Sequence, residues 1–184
     1  AECMKLVGMA THIAGIAIER KQAEDSIQFM AHHDALTGLP NRSMLDERVA
    51  SAIEAADDSG GTVTLAFIDL DNFKLVNDSL GHHAGDELLK IVSARMLRCV
   101  RSGDSIVRLG GDEFVVLIDG ALPEGETVEG ETVEGETVEA RLQAVRDAVA
   151  TPVEIEGRAF QVTCSMGVAS YPEHGRNATE LLAR

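Results

Sequence analysis

Tryptophan is absent from this 184-residue chain, and one tyrosine and five phenylalanines leave aromatics at 3%. A core must therefore rest on Leu, Ile, Val, Ala and Met, which the 45% apolar content allows. Basic residues are scarce as well. Sixteen Lys and Arg face 31 Asp and Glu, for a net charge of −15. That balance excludes the basic footprint of a DNA- or RNA-binding surface, while a small anion held through a cation stays compatible. The three cysteines, Cys3, Cys99 and Cys164, are odd in number, far apart and without a CxxC pair. They predict reduced thiols in a cytoplasmic protein, not a disulfide framework or a zinc site. No stretch approaches the roughly 18–20 apolar residues of a membrane span, and no basic region precedes a long apolar run at the N-terminus. Neither a membrane contact nor a secretory signal is expected of this fragment. A GxxxxGK[ST] run is also missing, which excludes a P-loop. The length suits one globular domain with a short extension.

The first segment, to about Ala31, reads as one helix. Leu6, Met9, Ile13, Ile16, Ala23, Ile27 and Met30 fall at alternating steps of three and four, with Arg20 in the one polar slot. This is a heptad seam of a two-stranded coiled coil, or else the apolar face of a helix lying on its own domain. Gly38 and Pro40 then break the pattern, and Asn41 is placed to cap a helix from about Ser43 to Ala56. Thr62 to Leu70 is apolar at nearly every position, as a strand buried on both faces should be. A turn and short helix lead to Gly81, and a further helix spans about Ala84 to Val100. Ser105–Leu109 and Glu113–Ile118 form a hairpin with Gly-Gly-Asp at its tip. Gly-Glu-Thr-Val-Glu occurs three times in tandem over residues 125–139, a unit too short and polar for a solenoid. It reads as an expanded loop, partly helical at its end, and its region supplies about half of the net charge of −15. A helix over about Ala140–Ala150 follows. Val153–Ile155 then turns into a strand over Phe160–Ala169, whose Phe160, Val162, Cys164, Met166 and Val168 would share a core face. A last helix starts near Ala178. Alternating helices and strands with two hairpins predict an α/β sandwich, a mixed central sheet flanked by helices.

Several polar residues gather where this topology ends its strands. Asp69 closes a buried strand and Asp112 sits at a hairpin tip. If the strands are neighbours, the carboxylates converge, and a divalent ion such as Mg²⁺, or Mn²⁺, would relieve their repulsion. Gly110 and Gly111 let backbone N–H groups approach a ligand. Lys74 stands just beyond Asp69, placed to meet phosphate. Asn77 and Asp86, an amide and a carboxylate, can read a guanine edge. Each feature alone has an ordinary explanation: a solvated turn acid, a plain hairpin, a helix cap. Together they describe a nucleotide site.

Arg108-Leu109-Gly110-Gly111-Asp112-Glu113-Phe114 resembles the signature of the GGDEF family, the diguanylate cyclases. Asp34–Arg42, Asp69–Asp78 and Gly81–Asp86 resemble the family's opening loop, its metal and guanine segment, and the stretch that closes the guanine pocket. The likeness covers about residues 34–184. It implies a fold akin to adenylyl cyclase and the polymerase palm. It implies Mg²⁺ on Asp69, the Leu70 carbonyl and Asp112, guanine on Asn77 and Asp86, and phosphates on Lys74 and the backbone near Asn72 and Phe73. Glu113 is the second signature acid, and either Asp112 or Glu113 would assist deprotonation of the attacking 3′-OH. The implied reaction condenses two GTP into cyclic di-GMP across a homodimer. Arg101-Ser102-Gly103-Asp104 has the RxxD spacing of the family's product-inhibition site, although Arg101 and Gly103 would also suit an ordinary helix end.

The resemblance divides the chain into a helical stalk, residues 1–33, and a GGDEF domain, residues 34–184. Leu6–Arg20 also resembles the closing helix of a GAF sensor domain, with a generic linker as the alternative. Family members continue with a basic helix and a final strand, so the domain is expected to be truncated at its C-terminus. A second reading is a regulatory module that binds GTP or cyclic di-GMP to control an attached domain such as an EAL phosphodiesterase.

Overall fold

The structure is a computed structural model that describes residues 2–120, 137–155 and 157–183, with side chains from residue 15 onward except at 17 and 23. The first two Gly-Glu-Thr-Val-Glu units, Glu156 and the stalk positions Leu6, Met9, Ile13 and Ala23 lie outside what it describes in backbone or side chain.

Helix α1 (Glu2–His32) runs unbroken into the loop that carries Gly38 and Pro40. Helix α2 (Arg42–Ser59) starts where Asn41 caps it, the Asn41 side chain accepting from the Ser43 N–H, and ends on Gly60 in the left-handed region at φ 70°. Strand β1 (Val63–Leu70), helix α3 (Phe73–Leu80) and helix α4 (His82–Leu97) follow, then the hairpin β2 (Ser105–Gly110) and β3 (Glu113–Asp119). Helix α5 (Val138–Ala150) is capped by Thr137, so the third repeat unit ends inside a helix. Strands β4 (Val153–Ile155), β5 (Arg158–Phe160) and β6 (Cys164–Tyr171) and helix α6 (Ala178–Leu182) complete the described chain.

The main sheet has the order β2-β3-β1-β6, and each of its neighbouring pairs is antiparallel. Strand β1 is central and buried on both sides. Ala66, Ile68 and Leu70 pack with Leu88, Val92, Met96, Phe114, Val145 and Val149 under α4 and α5. Leu65 packs with Leu45, Val49, Val107, Val115 and Leu181 under α2 and α6. The result is a three-layer α/β arrangement with helices on both faces of one sheet.

The single strand expected over Phe160–Ala169 is two strands. Strand β5 pairs with β4 in a separate two-stranded ribbon, and β6 crosses to pair with β1. Its core face is only partly as expected. Cys164 and Met166 pack into the core, whereas Val168 is 50% exposed. Strand β6 lies at the sheet edge, so cover fades along it, and Ala169 and Tyr171 bury themselves against the opposite layer. Neither Cys99 nor Cys164 is in a disulfide, and burial pushes the Cys164 thiol up.

Phe114, the last letter of the signature, is fully buried beneath the sheet, so it anchors the hairpin and does no chemistry. Phe114→Ala should cost about 3–5 kcal/mol of stability, measured as a shift in the urea midpoint. A loss below about 1 kcal/mol would show that the residue does not hold the core.

Candidate active site

The β1–β3 register sets Asp69 opposite Glu113, and the Leu70 N–H donates to the Asp112 carbonyl at 3.2 Å. Asp69, Leu70, Asp112 and Glu113 therefore share one end of the sheet. Burial pushes the Asp69 carboxyl above its ordinary value, and the charges of Asp112 and Asp71 push it further. The acids are close enough to repel each other. Among the described residues no three His, Cys, Asp or Glu side chains are grouped to hold a metal ion. Two carboxylates and a backbone carbonyl at this sheet end would suit Mg²⁺ or Mn²⁺ completed by phosphate and water, and would not suit zinc.

The hairpin tip depends on its glycines. Gly110 and Gly111 have φ of 143° and 54°, values that side chains rarely adopt, and the ladder shifts register between Arg108 and Gly110. Arg108 holds the tip in place. It is only 8% exposed, and its guanidinium donates to the Gly111 carbonyl from Nε at 3.1 Å and Nη2 at 2.7 Å. Its Nη1 donates to Asp34 Oδ1 at 2.7 Å. Burial works to raise the Asp34 carboxyl, but hydrogen bonds from Thr37 and Arg108 outweigh it and hold the group below the usual carboxylate range. Arg108 was given no role in the reading of the sequence, although a charged residue inside the run Ile106-Val107-Arg108-Leu109 was a visible signal.

Beyond β1, Asn72 adopts the left-handed conformation, φ 61° and ψ 18°, and α3 begins at Phe73. Phe73 and Val76 face the core, while Asn72 and Lys74 are exposed at the site's edge. Asn77 is folded against α4. A Cβ placed on Gly85 would come within 2.0 Å of its Oδ1 and 2.9 Å of its Cγ. The next residue, Asp86, is exposed, so the missing Gly85 side chain lets the amide of Asn77 lie beside the Asp86 position.

Arg101 and Asp104 sit elsewhere, at the start of β2 and the far end of the hairpin. The Asp104 carboxylate accepts from the Arg101 N–H at 3.0 Å, the Asp119 N–H at 3.2 Å, and Arg141 Nη1 at 2.9 and 3.0 Å. Its side chain is 1% exposed. The sequence reading missed Arg141, which follows the repeat in the first turn of α5.

Residues 31–184 match the family described as "Diguanylate cyclase, GGDEF domain". The chain belongs to the GGDEF family. It is 38% identical over 160 residues to the cyclic di-GMP phosphodiesterase NbdA of Pseudomonas aeruginosa, covering 87% of this chain and 19% of that protein. It is 37% identical over 167 residues to the bifunctional diguanylate cyclase/cyclic di-GMP phosphodiesterase MucR of the same organism, covering 91% and 23%. The chain thus spans about a fifth of the length of the curated relatives it matches. Among solved structures, a sensory box/GGDEF family protein from Caulobacter crescentus is similar at a TM-score of 0.70 and 38% identity, covering 83% of this chain and 91% of that one. Within this GGDEF domain no described helix is long and apolar enough to cross a membrane.

The Asp34–Arg108 pair has a pH signature. Its lowered carboxyl contributes stability that is complete above the ordinary aspartate pKa, about 4, and is lost as pH falls through the lower folded value. Asp34→Asn should therefore destabilise the domain at pH 7, and the difference from wild type should shrink in urea melts as pH is taken below about 4. A difference that stays constant with pH would show that the charge of Asp34 is not what Arg108 holds.

Proposed function

We propose that this domain is a diguanylate cyclase, in which two copies each bind one GTP and together condense them into cyclic di-GMP and two pyrophosphates. The observation that carries the reading is the approach of Asp112 to Asp69 at one sheet end, where burial and the charge of Asp112 disfavour the ionised Asp69 carboxyl. Asp69, the Leu70 carbonyl and Asp112 would hold Mg²⁺ or Mn²⁺. Such an ion supplies charge neutralisation and Lewis acidity at the phosphates.

The remaining work falls to the chain's own groups. Asn77 and Asp86 read guanine, the carboxylate accepting from its N–H donors and the amide donating to O6. Lys74 and the N–H groups near Asn72 and Phe73, at the start of α3, meet the phosphates. The open glycine turn, Gly110-Gly111, lets the substrate approach the backbone. Asp112 or Glu113 takes the proton of the 3′-OH, which attacks the α-phosphate of the GTP on the partner domain as pyrophosphate leaves. Catalysis of this kind is chiefly positioning, so the encounter of the two domains governs the rate.

The stalk is suited to that control. Ile16, Ile27 and Met30, three of its seam positions, are 52%, 64% and 54% exposed, a surface that a second copy would cover. Its end is tied to the domain by Asn41, whose side chain donates to the Ala31 carbonyl at 3.1 Å and accepts from the Ser43 N–H at 3.0 Å. Product inhibition through Arg101 and Asp104 belongs to the same proposal. Guanine would have to share or replace the donors that Asp104 already accepts, Arg141 first among them.

The regulatory reading, a GTP- or cyclic di-GMP-binding module beside a phosphodiesterase domain, is favoured by one finding: similar chain segments occur in proteins named phosphodiesterases. The intact acids at 69, 112 and 113 weigh toward turnover. Full-length parent protein incubated with GTP and Mg²⁺ should form cyclic di-GMP, and Asp112→Ala should reduce the rate by roughly a hundredfold or more. A folded, dimeric parent that yields no product would give the regulatory reading the place of this one.

Guanine selection has its own test. Gly85→Ala favours the helix by up to about 1 kcal/mol, yet its methyl must displace Asn77. The variant should keep its thermal midpoint and lose about tenfold in GTP affinity by calorimetry, the net worth of about one hydrogen bond. Unchanged affinity would remove Asn77 from the guanine site.

A further inference from the structure

Three carboxylates crowd the exit of β1, and Asp71 is the one given no ligand or substrate-binding role above. We propose that Asp71, with Thr163 and Ser165 of the β6 approach, is a positioning clasp for the metal–triphosphate loop and not a metal ligand. The proposal rests on the reading of Asp69, Leu70 and Asp112 as the metal-holding set.

The clasp is built on the side of β1 away from Asp112, because β3 and β6 flank β1 on opposite sides. Thr163 Oγ1 donates to Asp71 Oδ2 at 2.5 Å, and Ser165 Oγ donates to Asp71 Oδ1 at 2.8 Å. The Asp71 N–H donates in turn to the Thr163 carbonyl at 2.9 Å. Both carboxylate oxygens are thus engaged toward β6. In the β1–β6 register Ser165 stands opposite Asp69, and Cys164 opposite Leu70. The Leu70–Asp71 peptide is consequently held from two sides, by the Leu70 N–H on the Asp112 carbonyl and by Asp71 on Thr163. That fixes the direction of the Leu70 carbonyl, the one backbone oxygen in the metal-holding set.

The residue after the clasp needs such support. Asn72 is the non-glycine residue with positive φ, 61°, among the described residues. A conformation of this kind persists where its surroundings over-determine it. The clasp holds Asn72 from before, and from behind its carbonyl accepts the Leu75 N–H at 2.9 Å. Thr163 and Ser165 are both exposed, so their hydroxyls contribute hydrogen bonds and little packing.

The discriminating change is Thr163→Val with Ser165→Ala in the full-length protein, which deletes two hydroxyls and keeps a β-branched residue at 163. Free Mn²⁺ is read by electron paramagnetic resonance during titration with a non-hydrolysable GTP analogue. The double variant should keep its thermal midpoint and lose about tenfold to a hundredfold in Mn²⁺ affinity, as loss of outer-shell support does elsewhere. Thr163→Ser should bind Mn²⁺ as wild type does, and Asp71→Asn should lose less than Asp69→Asn. Wild-type affinity in the hydroxyl variants, while Asp69→Asn loses its metal, overturns the clasp. So does an Asp71→Asn loss as large as that of Asp69→Asn, which would make Asp71 a ligand. If Asp69→Asn itself binds Mn²⁺ normally, the metal-site reading fails along with the clasp that rests on it. Should the double variant fold poorly, Thr163→Val against Thr163→Ser carries the same comparison.

Discussion

Two carboxylates that repel each other are held at the same end of one sheet, and the remaining architecture can be understood as the means of keeping them there. Asp69 and Asp112 are placed by the antiparallel pairing of β1 with β3, and that pairing is secured from below by Ile68 and Phe114 in the larger core. Burial and the neighbouring charges both disfavour the ionised form of Asp69. Without a counter-charge the arrangement costs folding free energy, so apolar packing has to impose it. Under the proposed function, the same unfavourable field would favour a divalent ion and its triphosphate.

Around this pair the polypeptide is tied down by hydrogen bonds that cross large distances in sequence. Arg108 reaches from the middle of β2 to Asp34 at the end of the stalk and to the Gly111 carbonyl at the hairpin tip. Asn41 joins the last carbonyls of α1 to the first N–H groups of α2. A buried arginine with both partners satisfied is well suited to such a junction, since removing either partner leaves an uncompensated charge or carbonyl. The end of α1 is therefore joined to the sheet through defined contacts, one of which lies beside Asp112. Arg141 plays a comparable part at the other end of the hairpin, where it closes on Asp104 and links α5 to the start of β2.

Much of the fold was legible in the residues. The uninterrupted apolar run of β1 announced a strand buried on both faces, Asn41 announced the start of α2, and the glycine pair announced the β2–β3 tip. The region after Ile155 was not legible as such. An alternating pattern specifies which side chains share a face but not where one strand stops pairing and another begins, so the ribbon β4–β5 and the edge strand β6 were merged. The proposed site was legible as a set of residue types in the order that resembles the family's, which is why Asp69, Lys74, Asn77, Asp86, Asp112 and Glu113 could be named together. Arg108, Arg141, Thr163 and Ser165 were not singled out, because each depends on at least one partner 22 to 94 residues away.

By itself the amino-acid order determined family, most element types and the chemical inventory of the proposed site, because periodicity, caps and glycine turns act over a few residues. Only the tertiary structure decided that β1 lies between β3 and β6. Strand order is what turns Asp69 toward Asp112 and Asp71 toward the hydroxyls of Thr163 and Ser165, since a carboxylate's role depends on which neighbour reaches it first.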